Sequence, residues 1–322
     1  MAANKIIERI EREIGVPGLV NLLAERLNPS DLQSVMLEVY RQRAQRQPPA
    51  NLLDDFESNR FTRPSLADPI RLLAWEQIAF ANLPDEFEPI VLSPVCPLGT
   101  NSAIALVDQN RVLSTIRNTE VVADSTNVLA LECALVRKLL LRANPKSKQQ
   151  VHRAASHRLL RAQNYNNPDS IAHFSAFALC SAGQDQGNLQ FELPTLAAHI
   201  MFYLRALQAY HDSDPPLRVA VTDFSGVDRQ SRLRDALFTP VQAAFPDVEI
   251  VMDMQRESGR DYYVDLCFHV YADYASRGWL ELADGGVVNW TQTLLSNAKE
   301  RCVISGIGSE RVCTVLTPNS TF

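Results

Sequence analysis

The stretch that most constrains this chain is residues 157–183, HRLLRAQNYNNPDSIAHFSAFALCSAG. Two runs, 158–163 and 173–180, flank Asn-Tyr-Asn-Asn-Pro-Asp-Ser, a cluster of turn formers that breaks regular structure. The second run is rich in Phe, Leu and Ala and stops at Ser-Ala-Gly. Both runs are therefore expected as strands joined by a long polar loop. Arg161 falls at the end of the first strand. Its flat fork of donors suits a phosphate, over which the loop would close. Taken alone, the same residues also describe an ordinary surface hairpin with a solvated arginine.

The remainder of the chain alternates helical and strand signals. Ile6, Ile7, Ile10 and Ile14, then Leu19, Val20, Leu22, Leu23 and Leu27, keep helical spacing, broken at Gly15-Val16-Pro17-Gly18. Ser30 is placed to cap a helix over 31–47, ended by Pro48-Pro49. Residues 51–69 read as a polar linker with Pro64 and Pro69. A helix over 69–82 and a strand over 87–95 follow, then a hairpin pairing 102–107 with 111–116. Asp124-Ser125-Thr126-Asn127 caps a helix over 128–142. Beyond the central hairpin, helices are expected over 194–211, 232–245 and 289–298. Strands are expected over 217–224, 248–252, 262–271 and 302–305, with Gly285-Gly286 as a turn. Hairpins mixed with helices predict an α+β fold on an antiparallel-rich sheet, not a parallel doubly wound one.

Composition narrows the function classes. An apolar share of 46% in 322 residues builds a sizeable core, and a net charge of -6 argues against nucleic-acid binding through bulk positive charge. The N-terminus lacks an apolar signal core, and no apolar run reaches the length of a membrane span, so a cytoplasmic protein is expected. Cys96, Cys133, Cys180, Cys267, Cys302 and Cys313 show neither CxxC spacing nor nearby histidines. They are expected as reduced core residues, with no metal site.

Four pieces occur in a telling order: Asp124-Ser125-Thr126, the Arg161 hairpin, Gly259-Arg260-Asp261-Tyr262-Tyr263, and Gly285-Gly286 followed by Gly306-Ile307-Gly308-Ser309-Glu310-Arg311. Together they resemble the catalytic core of class II aminoacyl-tRNA synthetases, in particular histidyl-tRNA synthetase and the regulatory subunit of ATP phosphoribosyltransferase. The resemblance covers roughly residues 69–315. It implies a class II synthetase-like core over 66–322 behind a helical extension over 1–65, without the synthetase's anticodon-binding domain.

The resemblance implies roles as well. Asp124 and Thr126 would meet an amino group, and Tyr262 and Tyr263 would line the amino-acid pocket. Gly285 and Gly286 would let backbone approach the ligand. Arg161 would hold the α-phosphate of ATP, and Arg311 would stack on ATP, with Gln163, Phe174 and Gly308 completing the nucleotide site. Arg161 and Arg311 would be the catalytic pair, with ATP and Mg2+ as cofactors and no metal held by the protein alone. Residues 69–95 would form a homodimer interface. The tyrosines are expected on a strand, where alternation lets only one face a pocket.

Departures from the family pattern point away from histidine chemistry. Gln163 stands where the family has a glutamate, and Ala172 and Ala176 where it has an arginine and a glutamine. Ser258 replaces a catalytic arginine, with Arg256 and Arg260 near enough in sequence to substitute, and Val287-Val288-Asn289 replaces Arg-Tyr-Asp. Two readings follow: a synthetase-like protein that binds a nucleotide, an amino-acid-like ligand or a partner protein with altered chemistry, or an adenylate-forming ligase acting on another acid. The acidic balance and the missing anticodon domain argue against tRNA. Both readings require Arg161 and Arg311 to meet over one cleft.

Overall fold

Among the described residues ten strands carry the architecture: β1 (Glu88–Pro89), β2 (Val95–Pro97), β3 (Thr119–Val121), β4 (Val151–Leu160), β5 (His173–Gln184), β6 (Leu217–Asp223), β7 (Glu249–Met252), β8 (Leu266–Tyr274), β9 (Gly278–Val288) and β10 (Glu300–Gly308). The computed structural model describes residues 2–163, 172–211, 216–274 and 278–315, so the 164–170 loop lies outside the described residues. Eight strands form one sheet in the order β1-β4-β5-β10-β9-β8-β6-β7. The inner pairings, β4-β5, β5-β10, β10-β9, β9-β8 and β8-β6, are all antiparallel. β1 and β7 add parallel to the two edges. β2 and β3 pair apart from this sheet.

Strand alternation sends two apolar sets to opposite faces. Phe177, Leu179, Val303, Ile307 and Phe268 pack against helix Glu192–Tyr210 and helix Pro69–Ala81. Ala178, Cys180, Cys302 and Ile304 face helix Ser125–Ala143, which contributes Leu129, Ala130 and Cys133. The α+β antiparallel expectation holds.

One ion pair ties the second layer to the sheet. Arg137, on helix Ser125–Ala143, and Glu300, opening β10, are both fully buried. Arg137 Nε and Nη2 donate to the two carboxylate oxygens at 2.8 and 2.7 Å, while Nη1 donates to Gln149 O at 2.6 Å. Two-pronged geometry with the remaining donors satisfied is what makes a buried charge pair tolerable.

Several local expectations are corrected. Asn28, not Ser30, caps helix Pro29–Gln45, its Oδ1 accepting the Asp31 N–H at 3.0 Å. The expected linker contains helix Pro49–Ser58, because Pro49 sits at the first turn, where its missing N–H costs nothing. The 87–95 strand splits into β1 and β2 around Pro89 and Pro94, which have no N–H for a ladder. The 102–107/111–116 hairpin is instead helix Thr100–Ala105 followed by a turn. The cause is Glu120: its buried carboxylate accepts from the N–H groups of Gly99 and Asn101 and from the side chains of Asn101 and Gln109. Burial alone would raise its pKa, but these donors together hold it below the usual carboxylate value. The 262–271 strand begins only at Leu266, and Gly285-Gly286 lies inside β9 rather than at a turn. Of the helices within 2–58, none that spans described side chains contributes a buried residue.

His199 lies fully buried between two serines, bonded to Ser181 Oγ at 2.9 Å and Ser305 Oγ at 2.7 Å. Burial, with His152 nearby, pushes its pKa down to about 3. The ring is therefore neutral in the fold and takes up a proton more readily when unfolded.

Two predictions follow from this packing. Glu300→Gln strands the buried Arg137 charge, and urea unfolding is expected to show a loss of about 3–5 kcal/mol. The His199 contribution is complete above pH 6.5 and is lost as pH falls from there toward about 3, at up to about 1.4 kcal/mol per pH unit. Urea midpoints measured across that range should fall with acid, and less steeply in His199→Gln.

Candidate functional site

A cavity of about 950 Å3 opens on the sheet face that carries helix Ser125–Ala143, at that helix's N-terminal end. Its floor includes Ala176 and Ala178 of β5 and Ile304 and Gly306 of β10. Asp124 is the helix N-cap: its Oδ1 accepts the Thr126 N–H at 3.0 Å and the Thr126 hydroxyl at 2.7 Å. The local sequence thus dictates the cap, as any Asp-x-Thr before a helix would. The other carboxylate oxygen lies 3.2 Å from Arg161 Nη2.

Arg161 follows β4 directly. Its N–H donates to Ala172 O at 2.7 Å, which closes the hairpin, and its Nε donates to Ala123 O at 2.9 Å. Its guanidinium stands 5.1 Å over the Phe174 ring. On the opposite strand pair, β10 passes through Gly306 and Gly308 into helix Ser309–Val315, whose first turn carries Glu310 and Arg311. Arg311 Nη1 donates to Glu281 O at 2.7 Å. Glu310 accepts from Arg158 Nη2, Ser65 Oγ and the Ser175 N–H. Arg161 and Arg311, 150 positions apart in sequence, thus line one cavity, together with Gln163, Phe174 and Gly308.

Both tyrosines also line it. They sit in a turn set by Gly259, whose φ is +85° and whose carbonyl accepts both of their N–H groups. A turn frees the pair from strand alternation, so the expectation that only one faces the pocket is corrected. Their rings meet edge to face at 5.0 Å. Burial pushes both phenols well above the ordinary tyrosine value.

Gly285 and Gly286 are not among the lining residues. A Cβ on Gly286 would fall 2.5 Å from Tyr263 Cδ1, and one on Gly285 2.4 Å from Ser305 Cβ. The missing side chains are filled by packing: Tyr263 lies against one glycine, and Ser305 with Phe268 against the other.

The inner wall holds residues that sequence reasoning missed. Asp284, one place before the glycine pair, accepts from Arg256 Nη2 at 3.0 Å and from the Tyr263 hydroxyl at 2.9 Å. His269 lies 3.5 Å from both Asp284 and Glu281. Burial lowers its pKa despite those carboxylates. Of the two arginines near Ser258, Arg256 lines the cavity, with Nε donating to Ser258 O at 2.9 Å. Arg260 is not among the lining residues and stacks on Phe224 at 4.9 Å. Reading Gly285-Gly286 as a turn hid Asp284. Placed on a strand, strict alternation would have set Asp284, Gly286 and Leu282 on one face.

Neither the family models nor the curated proteins contain a match to this sequence. Solved structures do. The fold is the class II synthetase-like core seen in histidyl-tRNA synthetase and the ATP phosphoribosyltransferase regulatory subunit. An ATP phosphoribosyltransferase regulatory subunit/histidyl-tRNA synthetase from Bacillus halodurans aligns with a TM-score of 0.57 at 12% identity, covering 80% of this chain and 84% of that one. Histidyl-tRNA synthetase from Nostoc sp. PCC 7120 gives 0.55 at 12% identity, covering 80% and 74%. The apo S. aureus enzyme gives 0.52 at 14%, covering 79% and 68%. At such identities the likeness establishes the fold, not the chemistry. Among the described residues no helix is long and apolar enough to cross a membrane.

Proposed function

We propose that this protein is a synthetase-derived binding protein whose cleft takes a nucleotide together with an amino-acid-like ligand, and that it does not activate histidine. The observation that carries the reading is the convergence of Arg161 and Arg311 on one cavity beside Phe174. Two guanidinium groups at a cleft mouth suit a polyphosphate, and an aromatic ring beside them suits a base. Among the described residues Arg161 Nη1 has no acceptor and Arg311 donates only through Nη1, so each has donors to offer phosphate oxygens. Gln163 offers a neutral amide to an adenine edge.

Mg2+ fits this cleft differently. Among the described residues no three His, Cys, Asp or Glu side chains converge as a metal cage. Magnesium therefore belongs to the triphosphate in this reading, and no step runs through a protein-held ion.

The altered amino-acid end supports loss of histidine chemistry. Ser258 offers no guanidinium, and Arg256, which reaches the cavity, has its Nη2 on Asp284 and its Nε on Ser258 O, so that only Nη1 is left for a ligand. A second reading draws on the same two arginines: a ligase in which a carboxylate oxygen attacks the α-phosphorus of ATP and pyrophosphate leaves. Arg161 and Arg311 would then stabilise the charge developing on the phosphoryl oxygens.

ATP with magnesium is expected to raise the melting temperature of the wild-type chain, and Arg311→Ala to abolish the shift. No shift with the wild type would remove the nucleotide from the reading. Pyrophosphate exchange into ATP, screened over the common amino acids, separates the two readings: amino-acid-dependent exchange establishes the ligase.

Residues 69–95 are proposed as a homodimer interface. Ile70, Leu73 and Val91 expose 69%, 62% and 99% of their surface there, apolar side chains that a second copy would cover. Light scattering at micromolar concentration should give a dimer, and Leu73→Glu a monomer.

A further inference from the structure

The inner end of the cleft carries a charge pattern that a nucleotide does not use. β9 brings Glu281 and Asp284 to the cavity wall, with His269 of β8 beside them. Asp284 is held by Arg256 and Tyr263, yet its side chain keeps 38% of its surface exposed. Glu281 is 44% exposed, and its carboxylate meets only the His269 ring, at 3.5 Å, among the described residues. Arg311 approaches Glu281 at the main-chain oxygen, not at the carboxylate.

The imidazole does not neutralise these acids. The Tyr271 hydroxyl lies 2.9 Å from His269 Nδ1. When it donates there, the ring proton sits on Nε2, between the two carboxylates that each lie 3.5 Å away. That tautomer avoids setting a nitrogen lone pair against two acids. With the ring neutral, Asp284 keeps Arg256 as its ion-pair partner, while among the described residues no guanidinium or ammonium lies within ion-pair distance of the Glu281 carboxylate.

A second feature points to a ligand. Arg256 is more than nine-tenths buried and lines the cavity, and among the described residues its Nη1 has no hydrogen-bond acceptor. A buried guanidinium donor left unpaired is a costly state that a ligand oxygen would relieve.

We propose that the inner end of the cleft selects a basic amino acid, whose cationic amine or guanidinium meets Glu281 and Asp284 and whose oxygen accepts from Arg256. The inference rests on the reading of this cleft as an amino-acid-like ligand site, and it deepens that reading by naming the class of side chain. Carboxylates still half open to solvent can exchange water for a charged donor without losing their existing contacts. A neutral side chain of the same length would desolvate them with nothing in return. The same logic disfavours histidine, whose imidazole is largely uncharged at neutral pH.

The test is calorimetric titration of the full chain with lysine, arginine, norleucine, citrulline and histidine, each with and without ATP–Mg. Lysine or arginine is expected to bind at least about tenfold more tightly than its neutral counterpart, norleucine or citrulline, and than histidine. Glu281→Gln, a same-size change at a half-exposed position, is expected to weaken the basic ligand at least about tenfold at an unchanged melting temperature. Asp284→Asn supplies the second carboxylate variant. Equal affinity for norleucine or citrulline overturns the proposal, as does wild-type affinity in Glu281→Gln. ATP–Mg binding with no basic amino acid bound at millimolar concentration overturns the inference but leaves the nucleotide reading. Selective binding of lysine or arginine without ATP–Mg binding supports the inference and removes the nucleotide. Absence of all binding overturns both.

Discussion

The geometry of the cleft depends on the buried pair between Arg137 and Glu300. Arg137 belongs to the helix whose N-terminus presents Asp124 and Thr126, and Glu300 opens the strand whose far end presents Gly306 and Gly308 and leads into the helix carrying Arg311. One two-pronged contact therefore fixes the separation of two walls that are distant in sequence. An ion pair is a weak source of net stability when buried, because both charges lose water. What it supplies is register: the helix cannot slide or rotate on the sheet without stranding a charge. Arg137 extends the constraint to the chain ahead of β4 through Ser147 O and Gln149 O.

The cleft so framed is electrically lopsided. Arg161 lies over Phe174, while Glu281, Asp284 and His269 lie along the wall made by β8 and β9, where Arg311 reaches the Glu281 main chain. The Asp124–Arg161 contact is a partly exposed pair at 3.2 Å. Pairs of that kind are worth little and exchange partners readily. The group expected to hold a phosphate and the group expected to hold an ammonium are thus paired with each other, a contact that a zwitterionic ligand would split.

The N-terminal segment touches the same rim. Arg60 donates to the carbonyl oxygens of Ala162 and Gln163, His173 Nε2 lies 2.6 Å from Arg63 O, and Ser65 donates to Glu310. These contacts fall on the last residue of the chain leading into the hairpin loop, on the first residue of β5 and on the neighbour of Arg311. Few of them are buried. The segment that carries the unburied helices 2–58 is therefore fastened to the cleft rim beside Arg161 and Arg311 through polar contacts.

Much of the fold was legible because local rules and tertiary packing agree. Asp124 caps where an Asp-x-Thr should, and the turn formers of 164–170 divide the strands that became β4 and β5. The failures share one cause. Helix Thr100–Ala105 replaces an expected strand because Glu120, about 20 places later, gathers its N–H groups; Gly285-Gly286 lies in a strand because Tyr263 and Phe268 need the space. Neither partner is visible in a local window. At the candidate site, Arg161, Arg311 and the tyrosine pair could be named from sequence order, whereas Asp284, Glu281 and the buried, unpaired Nη1 of Arg256 could not. The sequence by itself determined which residues could bear charge and where helices and strands had reason to start. Only the tertiary structure decided which charges face each other, because an electrostatic contact depends on distances of a few ångströms set by packing between strands far apart in the chain.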